Sequence, residues 1–409
     1  MSSRRPAPKA VSDEVASTLR IFTTEERVLA ALLVFVAATL AAPYLPIPAW
    51  IRFFVSVLAI VPLAGFIGAA TEALADRLGG RIGGLFNATF GNSPDLLVGI
   101  IGVQKGLIPL VKATLVGALI SNSALIMGLC YITAGLKYGR PRFNRHEAGH
   151  HSVLMMLAVA AVLFPSMGSF VTCGVRGGGC AGAALGPIMQ ISVGISVVLL
   201  VAYVAYLLYS IFGLETLSAA VKGRSPGAHF LTEADAVQHR KAWPLWMSVG
   251  VLAASTLTLI PVINILTDSV APVTQTLGLT EVFVGMVIVG NAGNAAEAYA
   301  AIRFAIARPP APHGTDHGDS GLDLALGIAS ASSIQIAAFV APVVVIFSLF
   351  AHPMDLVFSP IEIGILGLLV LIFTYTAQDG ESNWLEGAQL LALYAMAAVV
   401  FYALPASAF

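Results

Sequence analysis

The sequence has few charged residues. Asp, Glu, Lys and Arg make up 11% of its 409 residues, whereas soluble globular domains typically carry about 25%. Hydrophobic residues account for 57%, and the mean hydropathy is +0.87. These values leave little room for a separate soluble domain, so we predict an integral membrane protein surrounded by lipid.

The sequence also has few cysteines and a net charge close to zero. The formal net charge is −1, which gives no basic surface for nucleic acid. Cys130, Cys173 and Cys180 are too few and too widely spaced for a metal cluster or a disulfide framework. Cys173 and Cys180 lie in one loop. The sequence is compatible there with either a disulfide or two unpaired thiols. The basic residues 1–26 lack the apolar core of a signal peptide and are interpreted as a cytoplasmic tail.

Long apolar windows dominate the rest of the chain. A bilayer core about 30 Å thick requires roughly 20 apolar residues per helix. The sequence therefore predicts an all-α integral membrane protein with about eleven transmembrane helices, the first within residues 27–49. The windows are 27–46, 50–76, 82–104, 107–135, 149–167, 183–213, 243–275, 280–306, 322–350, 354–376 and 384–405.

The short loops differ in charge. Basic residues cluster near 77–81, 137–145, 222–241 and 303–308. The positive-inside rule places those loops in the cytoplasm, with the N-terminus inside and the C-terminus outside. We expect a bacterial plasma membrane, with an organelle membrane as the alternative. The sequence contains no signal for an oligomeric state.

Two similar motifs stand half a chain apart. Gly91 to Asp95 and Gly293 to Glu297 are offset by 202 residues. A Gly-plus-hydroxyl segment follows each of them. This predicts one N-terminal helix plus two five-helix repeats, at 50–213 and 243–409, joined by a cytoplasmic connector at 214–242. An odd number of crossings inverts the second copy, as in many secondary transporters.

Asp95 and Glu297 are the candidate ion-binding acids. A carboxylate inside a spanning helix costs at least about 2.5 kcal/mol on insertion scales, so it normally has a function. Calcium takes 6 to 8 oxygen ligands, and protons compete for the same carboxylates. We expect transported calcium and protons and no other cofactor. The candidate neutral ligands are Asn92, Asn294, Ser121, Asn122, Ser332, Ser333 and Gln335.

Other interpretations of these polar residues remain open. Glu72 and Asp268 are a weaker point of similarity between the two halves, and they are candidates for a proton pathway. Ser and Asn side chains also join membrane helices through ordinary hydrogen bonds. A passive channel would share polar spans, although an inverted repeat favours alternating access.

The motifs resemble those of the CAX-type cation/proton exchangers of the calcium/cation antiporter superfamily. Phe86 to Asp95 is similar to the signature NATFGNxxE, Gly293 to Glu297 to GNAAEH, and Ser332 to Ile336 to SSIQI. The resemblance implies eleven helices, a five-plus-five inverted repeat and calcium transport coupled to protons. It also implies that Asp95 and Glu297 are the essential acids.

Four departures from that pattern matter. Asp95 stands in place of Glu, Ala298 in place of His and Ala331 in place of Gly, and residues 309–321 are inserted between two spans. Because His is absent at 298, sodium or potassium is kept as an alternative for the transported or the counter-transported ion.

One segment suggests an enzyme instead. His146 to His150 matches H-E-x-x-H, which on a helix binds zinc in metalloproteases. The match lies in a basic loop before a span, and no clear third ligand follows. An intramembrane metalloprotease is therefore kept only as an alternative, and we predict a transporter, not an enzyme.

Overall fold

The computed structural model describes residues 24–78, 85–87, 89–173, 185–212, 243–307, 321–376 and 379–405. These residues are almost entirely helical, apart from one isolated bridge between Arg142 and Glu381. The helices are α1 Thr24–Ala41, α2 Ala49–Leu78, α3 Ser93–Gln104, α4 Ile108–Tyr138, α5 Arg145–Cys173, α6 Leu185–Phe212, α7 Leu245–Leu277, α8 Glu281–Gly293, α9 Ala295–Ala307, α10 Gly321–Ser348, α11 Pro360–Thr376 and α12 Trp384–Ala403.

The predicted helical membrane fold is confirmed at this level. Seven of the described helices are long and apolar enough to cross a membrane, and four shorter helical stretches are also apolar. Two predicted windows, 82–104 and 280–306, are interrupted because the helix breaks inside each motif. The connector, residues 309–320 of the insertion, Cys180 and the side chain of Cys173 lie outside the described residues.

Helix ends follow local chemistry. The α3 and α4 helices each have proline in the first turn, at Pro94 and Pro109, where the missing N–H removes no helical hydrogen bond. Gly278 ends α7 with φ of 67°, a left-handed conformation that glycine adopts without steric cost. These residues place the turns between helices.

The two halves of the chain pack against each other through α2 and α7. The most extensive helix interface joins α2 to α7, where Ile60, Ile67, Leu259 and Ile263 are buried. Glycines bring α4 against α8, since a Cβ added to Gly285 would stand 2.7 Å from the carbonyl oxygen of Leu110. Small residues allow this close approach of backbones.

Three helices contain a wider π turn. The π segments are Ser121–Ile126 in α4, Val284–Val289 in α8 and Ile336–Val340 in α10. Such turns often mark functional sites because they redirect side chains without ending the helix. Two of the three lie beside predicted ligands, Ser121 and Gln335.

Candidate cation-binding site

Each motif breaks its helix at an asparagine. Asn92 precedes α3 with φ −92° and ψ 25°, and Asn294 separates α8 from α9 with φ −87° and ψ 5°. The two residues therefore share one backbone conformation, 202 positions apart. Helix formation resumes at once, because the N–H of Leu96 donates to the carbonyl of Asn92 and that of Ala298 to the carbonyl of Asn294.

These asparagines do not use their side chains to cap the next helix. Asn383, at the start of α12, shows the usual arrangement, since its Oδ1 accepts hydrogen bonds from Leu385 N at 2.9 Å and Glu386 N at 3.1 Å. The Asn92 side chain makes no such bond. The Oδ1 atom of Asn294 has no hydrogen-bond partner among the described residues. Both amides are thus available for contacts between helices.

The two acids occupy matching places, three residues after each asparagine. Asp95 is 2% exposed and Glu297 is partly buried. The carboxylates interact electrostatically and, when both are charged, repel each other. Gly293 lies directly beside Asp95, because a Cβ added there would stand 2.6 Å from Oδ1 of the acid. The acid of the first motif therefore packs against the backbone of the second.

A chain of amide and hydroxyl groups surrounds the first motif. Asn92 donates through Nδ2 to Oε1 of Gln335 at 2.5 Å and accepts through Oδ1 from the Ser332 hydroxyl at 3.2 Å. Ser332 in turn accepts from Nδ2 of Asn122 at 3.0 Å. These four residues are buried, and they come from α4, α10 and the break before α3. The network joins the two halves.

The second motif contacts α4. Nδ2 of Asn294 donates to the carbonyl of Ala118 at 3.3 Å. Nearby, the Ser121 hydroxyl donates to Oδ1 of Asn291 at 2.6 Å. Nδ2 of Asn291 also donates to the hydroxyl of Tyr394, on α12.

Asn291 and Tyr394 were not among the predicted site residues. The sequence holds one signal for Asn291, its position three residues before Asn294 on the same helical face. It holds none for Tyr394, which lies in an apolar window without a motif.

The unpartnered polar atoms of this region are oxygens. Oδ2 of Asp95, Oδ1 of Asn122 and Oδ1 of Asn294 are buried and have no hydrogen-bond partner among the described residues. The Nδ2 atoms of Asn122 and Asn294 donate to Ser332 and to the carbonyl of Ala118, so only the amide oxygens are left without a partner. Buried polar atoms are normally satisfied. Acceptor oxygens without donors are the type of ligand that a hard cation prefers, and these three could supply part of its shell.

Three predicted residues do not join this network. The Ser333 hydroxyl donates to the carbonyl of Ala329, one turn earlier in α10, at 3.0 Å. Glu72 is exposed. Asp268 forms an exposed ion pair with Lys105 at 2.8 Å. Their roles in ion or proton binding stay predictions.

The possible zinc motif lies at the start of α5. The backbone there is helical, but the side chains of His146, Glu147 and His150 are outside the described residues. The side chains that the structure does describe contain no group of three or more His, Cys, Asp or Glu residues arranged to hold a metal ion.

Comparison with known proteins places these features in a family context. The sequence model of the sodium/calcium exchanger protein family matches twice, at residues 48–212 and 247–403. A Ca²⁺/H⁺ antiporter of Aphanothece halophytica is 34% identical over 91% of this chain and 95% of its own length. The Ca²⁺/H⁺ antiporter ChaA of Bacillus subtilis is 35% identical over 87% and 93%.

Solved structures give the same result. The structure of YfkE, a Ca²⁺/H⁺ antiporter protein, is 33% identical in sequence, with a TM-score of 0.72. The similarity covers 91% of this chain and 100% of YfkE. Both motifs lie within the two stretches that match the family model.

Proposed function

The chain belongs to the sodium/calcium exchanger protein family, and on that premise we propose that it exchanges calcium ions for protons across a membrane by alternating access. The observation that carries the proposal is the set of buried acceptor oxygens on Asp95, Asn122 and Asn294. The similar antiporters of Aphanothece and Bacillus are named for calcium and protons, which favours these ions over sodium or potassium.

Exchange follows from competition at one site. Asp95 and Glu297 bind the cation when both are deprotonated, and their mutual repulsion is relieved either by the cation or by protons. Neutral oxygens complete the shell, from Asn92, Asn122, Asn294 and Ser121. Because cation and protons neutralise the same charges, both cannot be bound fully at once. Calcium carried in one direction is therefore coupled to protons carried in the other.

We also propose the eleven-helix, inverted-repeat topology, with the N-terminus in the cytoplasm of a bacterial cell. Two matches to one family model support a duplication. Ion pairs support the sidedness, since each joins two segments that the predicted topology places on the same side of the membrane. The pairs are Lys105 with Asp268, Lys112 with Asp355, Arg142 with Glu381 and Arg303 with Glu25.

The test is transport by the full chain in proteoliposomes, driven by an imposed pH gradient, with calcium, sodium and potassium supplied in turn. We expect calcium uptake that depends on the gradient. Glu297→Gln should reduce uptake by at least roughly 100-fold, because removing one charged partner from a buried site costs about 3 to 5 kcal/mol.

Glu386→Gln provides a matched control. Glu386 also stands three residues after an asparagine that precedes a helix, but its Oε1 accepts from Asn383 at 2.7 Å, outside the network around Asp95. This variant should transport at the native rate. Native uptake by Glu297→Gln would contradict the proposed site, and calcium flux insensitive to pH would indicate a pore.

A further inference from the structure

We infer that Asn291, held by Tyr394 and by its own helix, is a positioning residue that makes Ser121 a cation ligand. The inference rests on the proposed function and extends the site to α12, a helix that carries no motif. It concerns the direction of hydrogen bonds, because a hydroxyl that donates into a site repels a cation, whereas one that presents lone pairs binds it.

Ser121 lies where such a direction matters. The residue is 1% exposed and opens the π segment of α4, next to Asn122. Its hydroxyl donates to Oδ1 of Asn291 at 2.6 Å. A hydroxyl has one proton to donate and two lone pairs. With the proton committed to Asn291, Ser121 has only lone pairs left to present to the site.

The amide of Asn291 cannot easily reverse this direction. Nδ2 carries two protons, and both are used, one by the carbonyl of Val287 at 2.6 Å and one by the Tyr394 hydroxyl at 2.5 Å. A flipped amide would turn its oxygen toward the Val287 carbonyl, which has no proton to give. Oδ1 of Asn291 is therefore fixed as the acceptor for Ser121.

Neighbouring serines show the alternative. The Ser123 hydroxyl donates to the carbonyl of Leu119 at 2.8 Å, and that of Ser333 donates to the carbonyl of Ala329 at 3.0 Å. Both are satisfied by their own helix, the common arrangement for serine in membrane helices. Ser121 instead reaches across to α8, so its orientation depends on a residue of the other half of the chain.

The test measures initial rates of calcium uptake by the full chain in proteoliposomes over a range of calcium concentrations. Asn291→Ala should raise the KM for calcium by about 5- to 10-fold, the range that one oriented hydrogen bond accounts for, and should leave the maximal rate within about twofold. Tyr394→Phe should raise KM less, because the Val287 carbonyl still holds the amide.

A double substitution separates positioning from direct binding. In a Ser121→Ala background, Asn291→Ala should add no further increase in KM, because its effect acts through the serine hydroxyl. A persisting increase, or a fall in maximal rate at constant KM, would overturn the inference. Asn264→Ala is the control, since its Nδ2 makes the same bond to a carbonyl one turn earlier, that of Ile260, at 3.0 Å on α7. It should leave KM unchanged.

The outcomes distinguish this inference from the proposed function. If Glu297→Gln transports normally, the site itself is wrong. If Glu297→Gln abolishes uptake while Asn291→Ala leaves KM at the native value, the site stands and the positioning role alone is refuted.

Discussion

The two motifs share a backbone and differ in their surroundings. Asn92 and Asn294 adopt nearly the same φ and ψ, and an acid follows each after three residues. Yet Asn92 bonds to two side chains of α10, whereas Asn294 bonds to a single backbone carbonyl on α4. Asp95 is fully enclosed, and Glu297 is only partly buried. The two breaks thus have the same backbone conformation but different neighbours.

This comparison predicts that the surroundings of Asp95 tolerate change less well than those of Glu297. Asp95 is buried with the backbone of Gly293 beside its carboxylate, so added volume at Gly293 displaces the ligand. Glu297 has more free space around it. The predictions below test this difference, from the largest expected effect to the smallest.

Gly293→Ala should reduce calcium uptake by roughly 10- to 100-fold, the effect expected when a reacting group is displaced by about 1 Å. The added Cβ would stand 2.6 Å from Oδ1 and 3.1 Å from Oδ2 of Asp95, so the carboxylate must move. Initial uptake rates and the amount of folded protein in detergent would be measured together.

Gly367→Ala is the control for that substitution. Gly367 lies in α11 with no atom within 4 Å of an added Cβ, so transport should be native. Gly91→Ala is the corresponding change in the first motif. Its added Cβ would stand 2.6 Å from the carbonyl oxygen of Asn87 and not beside an acid. Equal loss in all three variants would show that Gly293 has no special relation to Asp95.

Asn92→Ala and Asn294→Ala separate binding from stability. Both should raise the KM for calcium about 5- to 10-fold by removing a neutral oxygen or its orientation. Asn92→Ala should also lower Tm more, because it leaves Gln335 and Ser332 without their buried partner. Asn294→Ala frees only the Ala118 carbonyl, bonded at 3.3 Å. Thermal unfolding in detergent measures which of the two variants has the lower Tm. Equal Tm values would contradict the predicted difference between Asn92 and Asn294.

Ser332→Ala and Ser333→Ala should give the smallest effects and differ from each other. Ser332 bonds Asn92 and Asn122, one on each side of the site, so its loss should raise KM by about 3- to 5-fold. Ser333 bonds only its own helix, and Ser333→Ala should stay within about twofold of native. A larger effect at Ser333 would support its predicted role as a ligand.

Much of this site could be predicted without coordinates. Asp95 and Glu297 stand out because isolated carboxylates in apolar windows are costly, whereas the predicted windows 82–104 and 280–306 ran through both motifs without a break. Ser333 was grouped with Ser332 because adjacent serines look alike in sequence, although successive helical residues point about 100° apart. Asn291 was missed because the nearby motif supplied the residues that were selected. Tyr394 was missed because no motif lies near it.

The sequence by itself determined the helical membrane architecture and the pair of candidate acids, because hydropathy and isolated carboxylates can be identified within a few turns of chain. Only the tertiary structure decided which polar groups meet. The rotation of α4, α10 and α12 about their axes depends on packing between residues more than 100 positions apart, such as Gly285 against Leu110. That rotation brings Asn122 to Ser332 and Tyr394 to Asn291, and turns Ser333 back toward its own helix.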